Sequence, residues 1–174
     1  MDIAPPSTSG APEAYRPCVG AVIINREGLI WIGRRAEAEQ DAEGTGRWWQ
    51  MPQGGIDAHE DPAIAVIREV REETGLVSVT VAAALDEWLT YDLPPSLIGK
   101  AWGGRFRGQR QRWFLVEFFG SDAEVCLDPG PGHAREFDDW RWARPQDVLE
   151  AIVPFKRPVY TRVLDWLATW PPAR

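Results

Sequence analysis

The stretch from Asp61 to Gly75 constrains this chain more than any other. Asp61 is a side chain that caps a helix, Pro62 suits the first helical position, and Gly75 after Thr74 is a favoured stop, so a helix over 62–74 is predicted. At 100° per residue, Glu69, Glu72 and Glu73 fall within an arc of about 100°, with Ala63, Ile67 and Val70 on another side. Three carboxylates should therefore converge on one exposed face. The plain alternative is a solvated helix surface, which charged residues readily fill. Against it, like charges at i and i+4, here Glu69 and Glu73, repel and weaken a helix unless a cation sits between them. Clustered hard oxygens are what Mg²⁺ takes, together with waters and substrate phosphates.

Around this helix the chain reads as strands. Residues 1–14, rich in Pro, Ser, Ala and Gly, lack periodicity and are expected to form a loose arm ahead of one domain over 15–174. Cys18–Ile24 and Leu29–Ile32 flank a glycine-containing turn, and residues 36–47 are expected to be an exposed loop. Strand-like runs follow at 77–84, 85–91, 111–119 and 137–142, then a short helix near 146–152 and an amphipathic one over roughly 158–170. Strands in a mixed sheet with helices packed on it give an α+β fold, an α/β/α sandwich. Trp166 and Trp170 are expected to pack along the last helix, and His59 and His133 to face solvent.

With 174 residues, 44% apolar and 26% charged, the chain fits one globular domain and excludes fibrous and disordered classes. No apolar run approaches the roughly 20 residues that span a bilayer, and the first residues lack a basic and an apolar region, so no membrane partner and a cytoplasmic location are expected. Cys18 and Cys126 cannot supply a disulfide framework, which suits a reducing compartment. A monomer is the simplest expectation. A net charge of −7 argues against gripping a long stretch of nucleic acid. Lys100, Arg105, Arg107, Arg110 and Arg112, with no acidic residue among them, form a candidate anion-facing stripe.

Gly54, Glu60, Arg68, Glu69, Val70, Glu72, Glu73, Gly75 and Leu76 fall on one pattern: Gly, five residues, Glu, seven residues, Arg-Glu, an apolar residue, any residue, Glu-Glu, any residue, Gly, apolar. Chance gives such a match on the order of once in 10⁹ starting points, with residues used at about 5–10% each. The segment resembles the signature of the Nudix hydrolases. That resemblance implies the Nudix fold and a catalytic metal, Mg²⁺ with Mn²⁺ able to substitute, held by Glu69, Glu72 and Glu73. It also implies that the Gly54 carbonyl touches metal, and that Glu60, Arg68 and Gly75 support the signature. One glutamate would take the proton of the attacking water, and the sequence does not say which.

Further strings resemble one branch of that family, the RNA pyrophosphohydrolases and the related diadenosine tetraphosphate hydrolases. They include Tyr15-Arg16-Pro17, Gln50-Met51-Pro52-Gln53, Trp88-Leu89-Thr90-Tyr91, Gln109-Arg110-Gln111-Arg112-Trp113, Glu136-Phe137-Asp138 and Phe155-Lys156-Arg157. The resemblance implies a further metal carboxylate at Glu136, phosphate binding by Arg16, Arg35 and Tyr91, and contact with a base by Val153 and Phe155. The implied substrates are nucleotides: 5′-triphosphorylated RNA ends, dinucleoside polyphosphates, or both. Residues 36–47 are longer than in the shortest RNA pyrophosphohydrolases, and residues 89–95 and 102–104 lean toward the dinucleotide-cleaving members. A hydrolase of oxidised nucleoside triphosphates shares the signature but not these strings, and a non-catalytic nucleotide- or RNA-binding domain is expected to have lost carboxylates that this chain retains.

Overall fold

The first strand, β1 (Tyr15–Ile24), is the axis on which the rest is arranged. The computed structural model describes residues 14–37, 39–41 and 44–170, so most of the expected N-terminal arm and residues 171–174 lie outside the described residues. β1 meets β2 (Ile30–Arg35) across the turn at 25–29, where Asn25 Oδ1 accepts the N–H groups of Glu27 and Leu29. It pairs antiparallel with the short β6 (Gln53–Gly55) and parallel with β8 (Gly108–Phe118), the latter in unbroken register from Tyr15 against Gly108 to Ile24 against Glu117. β7 (Val79–Asp92) lies antiparallel on β8, while β5 (Trp49–Gln50) and β9 (Phe137–Ala143) border β2. The sheet is therefore mixed.

Successive strand residues point to opposite faces, and here both faces are covered. Val19, Ala21 and Ile23 join Phe114 and Val116 against α1 (Pro62–Thr74), which contributes Ala65, Val66 and Val70. Val22 and Ile24, with Trp113 and Leu115, pack against α2 (Pro145–Ala151) and α3 (Arg157–Ala168), whose Val159, Tyr160 and Val163 are buried. Each of the larger aliphatic and Phe side chains among them stabilises the fold by about 1.5–3 kcal/mol before the entropy of ordering it is subtracted. The result is the α/β/α arrangement expected from the sequence.

Three expectations change. The runs at 77–84 and 85–91 are one strand, interrupted by register shifts between Val81 and Ala83 and between Ala84 and Trp88. Within 36–47, β3 (Glu39–Asp41) and β4 (Gly44–Gly46) pair antiparallel, so this segment is not simply a loop. The buried seam of α1 is Ala65, Val66, Val70 and Thr74, whereas Ala63 is exposed and Ile67 only partly buried. The sheet approaches α1 from a direction rotated from the one that periodicity suggests.

Candidate active site

β6 and α1 build the first part of the site. Pairing of Val19 with Gly54 and of Cys18 with Gly55 holds β6 against β1, and α1 returns across it. A Cβ on Gly54 would lie 2.0 Å from the Glu69 carboxyl carbon, so only glycine lets this carboxylate rest on the strand. A Cβ on Gly55 would lie 2.5 Å from Nη2 of Arg16, so the second glycine makes room for a guanidinium. At the helix end, Gly75 has φ 78° and donates to the Arg71 carbonyl, a left-handed cap that glycine adopts at little cost.

Arg68 ties these parts together. Its guanidinium donates to both carboxylate oxygens of Glu60 at 2.8 Å, to Glu69 at 2.7 Å, to Glu72 at 3.4 Å and to the Gly55 carbonyl at 2.9 Å. Glu60 also accepts the Asp57 N–H at 2.9 Å. Arg68, then the Asp57 amide, holds the Glu60 carboxyl down to about 2. The bracing expected of Glu60 and Arg68 is thus a web of charge-assisted bonds.

The acidic residues do not all share an exposed face. Glu72 is 54% exposed but Glu69 only 13%, because Glu69 leans onto Gly54. Glu73 accepts the Gln53 N–H at 3.1 Å. Burial raises its carboxyl well above the usual range, and the charges of Glu136 and Glu69 push it further, against the Gln53 amide and Arg35. Burial also raises Glu69, opposed by its bond to Arg68. Glu69, Glu72, Glu73 and Glu136 line one cleft of about 230 Å³ with Leu127, Pro129, His133 and Ala134. His133 is exposed, as expected, yet it lies on the rim of this cleft.

Among the described residues no three His, Cys, Asp or Glu side chains converge closely enough to hold a metal as they stand. Glu69 is bonded to Arg68, Glu73 to the Gln53 amide and Glu136 to Arg35 at 2.6 Å. In kind and in place they nevertheless fit a hard divalent cation. They are oxygen donors around one cleft, and a cation would offset both the burial of Glu73, which raises its carboxyl most, and the repulsion from Glu136 and Glu69.

A second cleft of about 270 Å³ adjoins the first at Glu136, and it brings together Arg16, Arg35 and Tyr91. The Arg35 side chain makes one hydrogen bond, to Glu136, and its Nε is buried without a partner among the described residues. Arg16 lies 5.6 Å from the Trp102 ring centre. Phe155 packs against Tyr91 with ring centres 5.6 Å apart. Val153 corrects its expectation: it is 0% exposed, drawn into the core beneath α3, and offers no side-chain surface to a base.

Sequence reasoning missed Gln53, Trp102, Gln109 and Lys156, all of which line the second cleft. Lys156 is 3% exposed, donates to Gln50 at 3.2 Å, and lies 5.9 Å and 5.5 Å from the ring centres of Tyr91 and Phe155. A lysine beside an aromatic, Phe155-Lys156, was the available signal. The basic stripe does not form one surface. Arg107 is bonded to Asp92 at 2.8 and 3.1 Å, Arg110 lies 4.7 Å from the Trp88 ring centre, and Arg112 donates to the Asp86 carbonyl. Arg110 and Arg112 alternate with Gln109 and Gln111 on β8 and so point to the other face of the sheet. Of the last-helix tryptophans, Trp166 packs on the core while Trp170 remains 36% exposed.

Comparison with known proteins agrees with this geometry. The NUDIX domain matches residues 14–163. The chain is 51% identical over 152 residues to an RNA pyrophosphohydrolase of Mesorhizobium japonicum, covering 86% of this chain and 88% of that one. It is 50% identical to an RNA pyrophosphohydrolase of Agrobacterium fabrum, covering 86% and 89%. Among solved structures it superposes on a C. elegans Ap4A hydrolase binary complex with TM-score 0.61 at 20% identity, covering 89% and 99%. It superposes on a Nudix hydrolase from M. Smegmatis with TM-score 0.62 at 18% identity, covering 91% and 89%. Likeness at these identities shows the fold.

Proposed function

Because the chain belongs to the Nudix hydrolase family, we propose that it removes pyrophosphate from 5′-triphosphorylated RNA ends and also cleaves dinucleoside polyphosphates such as diadenosine tetraphosphate. The observation that carries this reading is the junction at Glu136 of a carboxylate-lined cleft with one lined by Arg16, Arg35 and Lys156. A polyphosphate chain spanning both would meet cations along its length and carboxylates at the reacting phosphorus.

In this reading Glu69, Glu72, Glu73 and Glu136, with the Gly54 carbonyl, hold Mg²⁺ or Mn²⁺. When bound, the ion neutralises phosphate charge and makes water a stronger nucleophile at neutral pH. Arg16 and Arg35 hold non-bridging oxygens, because a guanidinium with open donors matches phosphate geometry. Tyr91, which lines the second cleft, adds a hydroxyl, and Phe155, packed against Tyr91, contacts the base. A carboxylate of the cluster accepts the proton of the attacking water. Water adds to phosphorus as the anhydride P–O bond breaks, so a triphosphate end leaves as pyrophosphate and a 5′-monophosphate remains. Diadenosine tetraphosphate gives a mononucleotide and a shorter nucleotide product.

Net charge −7 and a dispersed basic stripe leave little surface for further phosphates, so binding should end within the first few nucleotides. No helix among the described residues is long and apolar enough to cross a membrane, and Cys18 and Cys126 are both free, which supports operation in a reducing cytoplasm. The test is kcat/KM on triphosphorylated RNA and diadenosine tetraphosphate, side by side, with Mg²⁺ and with excess chelator. Hydrolysis of both that vanishes with chelator is expected. No cleavage of the dinucleotide at enzyme concentrations that clear the RNA end would restrict the activity to RNA, and turnover in chelator would remove the metal site.

A further inference from the structure

The floor of the basic cleft contains a set of buried amides whose orientation is not free. Gln53 is 9% exposed, Gln109 3% and Gln111 1%. Gln109, Gln111 and Trp113 alternate along β8 and point to the same face. The indole Nε1–H of Trp113 donates to Oε1 of Gln111 at 3.0 Å. An indole can only donate, so this bond fixes which end of the Gln111 amide is oxygen. The Gln111 NH₂ must then point away. It donates to Gln53 Oε1 at 2.9 Å and to Gln109 Oε1 at 2.8 Å. Gln53 Nε2 donates to the same Gln109 oxygen at 3.3 Å. Two donors thus converge on Gln109 Oε1, and rotating that amide by 180° would set N–H against N–H.

The consequence is a polarity imposed from the core. Gln109 Nε2 has no hydrogen-bond partner among the described residues, while Gln109 lines the cleft beside Arg16, Arg35, Tyr91 and Lys156. We propose that Gln109 is a substrate-binding residue that presents a neutral N–H donor to a phosphate oxygen in this cleft, and that Trp113 and Gln111 are positioning residues that lock it in the donating orientation. The inference rests on the reading of this cleft as a phosphate site and adds a group to it. An uncharged donor here holds an anion without adding another cation to the repulsion among Arg16, Arg35 and Lys156. It also disfavours a ligand that offers only donors at that point.

The test uses inorganic tripolyphosphate as the probe, titrated calorimetrically into the wild type and the variants Gln109→Leu, Gln109→Glu and Gln111→Glu, with thermal midpoints as the folding control. Removal of the donor in Gln109→Leu should weaken binding about tenfold or more. Gln109→Glu keeps an oxygen for both buried donors and turns an anion toward the cleft, so it should bind more weakly than Gln109→Leu. A merely structural role predicts the reverse, with Gln109→Glu restoring what Gln109→Leu loses, and that result overturns the proposal. Gln111→Glu still accepts from Trp113 but cannot donate, which lets Gln109 turn its oxygen to the cleft. A folded Gln111→Glu variant with wild-type affinity also overturns it. Should the buried charge prevent folding, the two Gln109 variants decide alone. The hydrolysis assays are separate: a wild type that binds tripolyphosphate but cleaves neither nucleotide substrate sinks the proposed function and leaves the Gln109 assignment to these affinities.

Discussion

Arg68 and Arg35 are each bonded to a glutamate that lines the acidic cleft, Arg68 to Glu69 and Arg35 to Glu136, yet their surroundings differ in kind. On the helix side, Arg68 has its donors taken up by Glu60, Glu69, Glu72 and the Gly55 carbonyl. On the strand side, Arg35 keeps one bond, to Glu136, and a buried Nε with no partner among the described residues, while Arg16 lies over Trp102 and Gly55. An arginine whose donors the chain has consumed belongs to the scaffold. One with donors left over is available to something outside the chain, and filling a buried unpaired donor is favourable.

The comparison breaks most readily at the carboxylates, where the expected effect is largest. Glu73→Gln or Glu69→Gln should lower kcat by at least about 10²-fold with the fold retained, since a cation ligand is lost at nearly constant volume. Near-wild-type turnover in either variant would remove these residues from the chemistry. Arg35→Ala should raise KM about tenfold and leave the Mg²⁺ activation midpoint nearly unchanged, because its partner is phosphate. An unaltered substrate titration would place Arg35 with Arg68 in the scaffold. Arg68→Ala should instead show itself as a loss of thermal stability on the order of 5 °C, with kcat falling as the glutamates lose their brace. A wild-type melting curve for that variant would erase the contrast.

A smaller effect tests the loop that lines the acidic cleft. Glu124 is held down to about 2 by the Ser78 hydroxyl first, then by the N–H groups of Ser78 and Val77, which it accepts at 3.0 Å each. A depressed carboxyl contributes stability that is present above its ordinary pKa of 4.5 and is lost as pH falls toward 2. Glu124→Gln should therefore flatten the fall in melting temperature across that window, and an unchanged acid limb would mean the clip is not formed in solution. Least of all, charge reversal at Arg110 and Arg112 should leave kcat/KM within about twofold, because β8 turns them to the face away from the basic cleft. A large loss would return the stripe to the substrate path.

Legibility from the sequence followed how local the cause was. The helix over 62–74 was readable because its cap, its proline and its stop are neighbours in the chain, and the structure places all three there. Glu69, Glu72, Glu73 and Glu136 were readable as a set from the family resemblance, and they do line one cleft. Periodicity could not show that β7 continues through Leu85 as one strand, because two register shifts, the second spanning Leu85, erase the alternation. Nor could it show the bond between Arg35 and Glu136, the burial of Lys156 or the withdrawal of Val153 into the core, since each depends on β9 or α3 arriving from far along the chain. The buried side of α1 was not readable either, because the sheet beneath decides which residues are down.

The parallel alignment of β1 with β8 also sets a timetable for assembly. Material made early on the ribosome must wait for material made much later, because a parallel neighbour cannot be supplied by a tight hairpin. A nascent chain halted before Gly108 already carries every signature glutamate, yet one side of β1 offers unpaired backbone amides and carbonyls along its length. Closing that gap joins distant parts of the chain, the slow kind of contact in folding kinetics. The helix that looks most self-sufficient on paper thus gains its full support only once the chain has passed Phe118, and until then the open border of β1 is where chaperone capture or aggregation would begin.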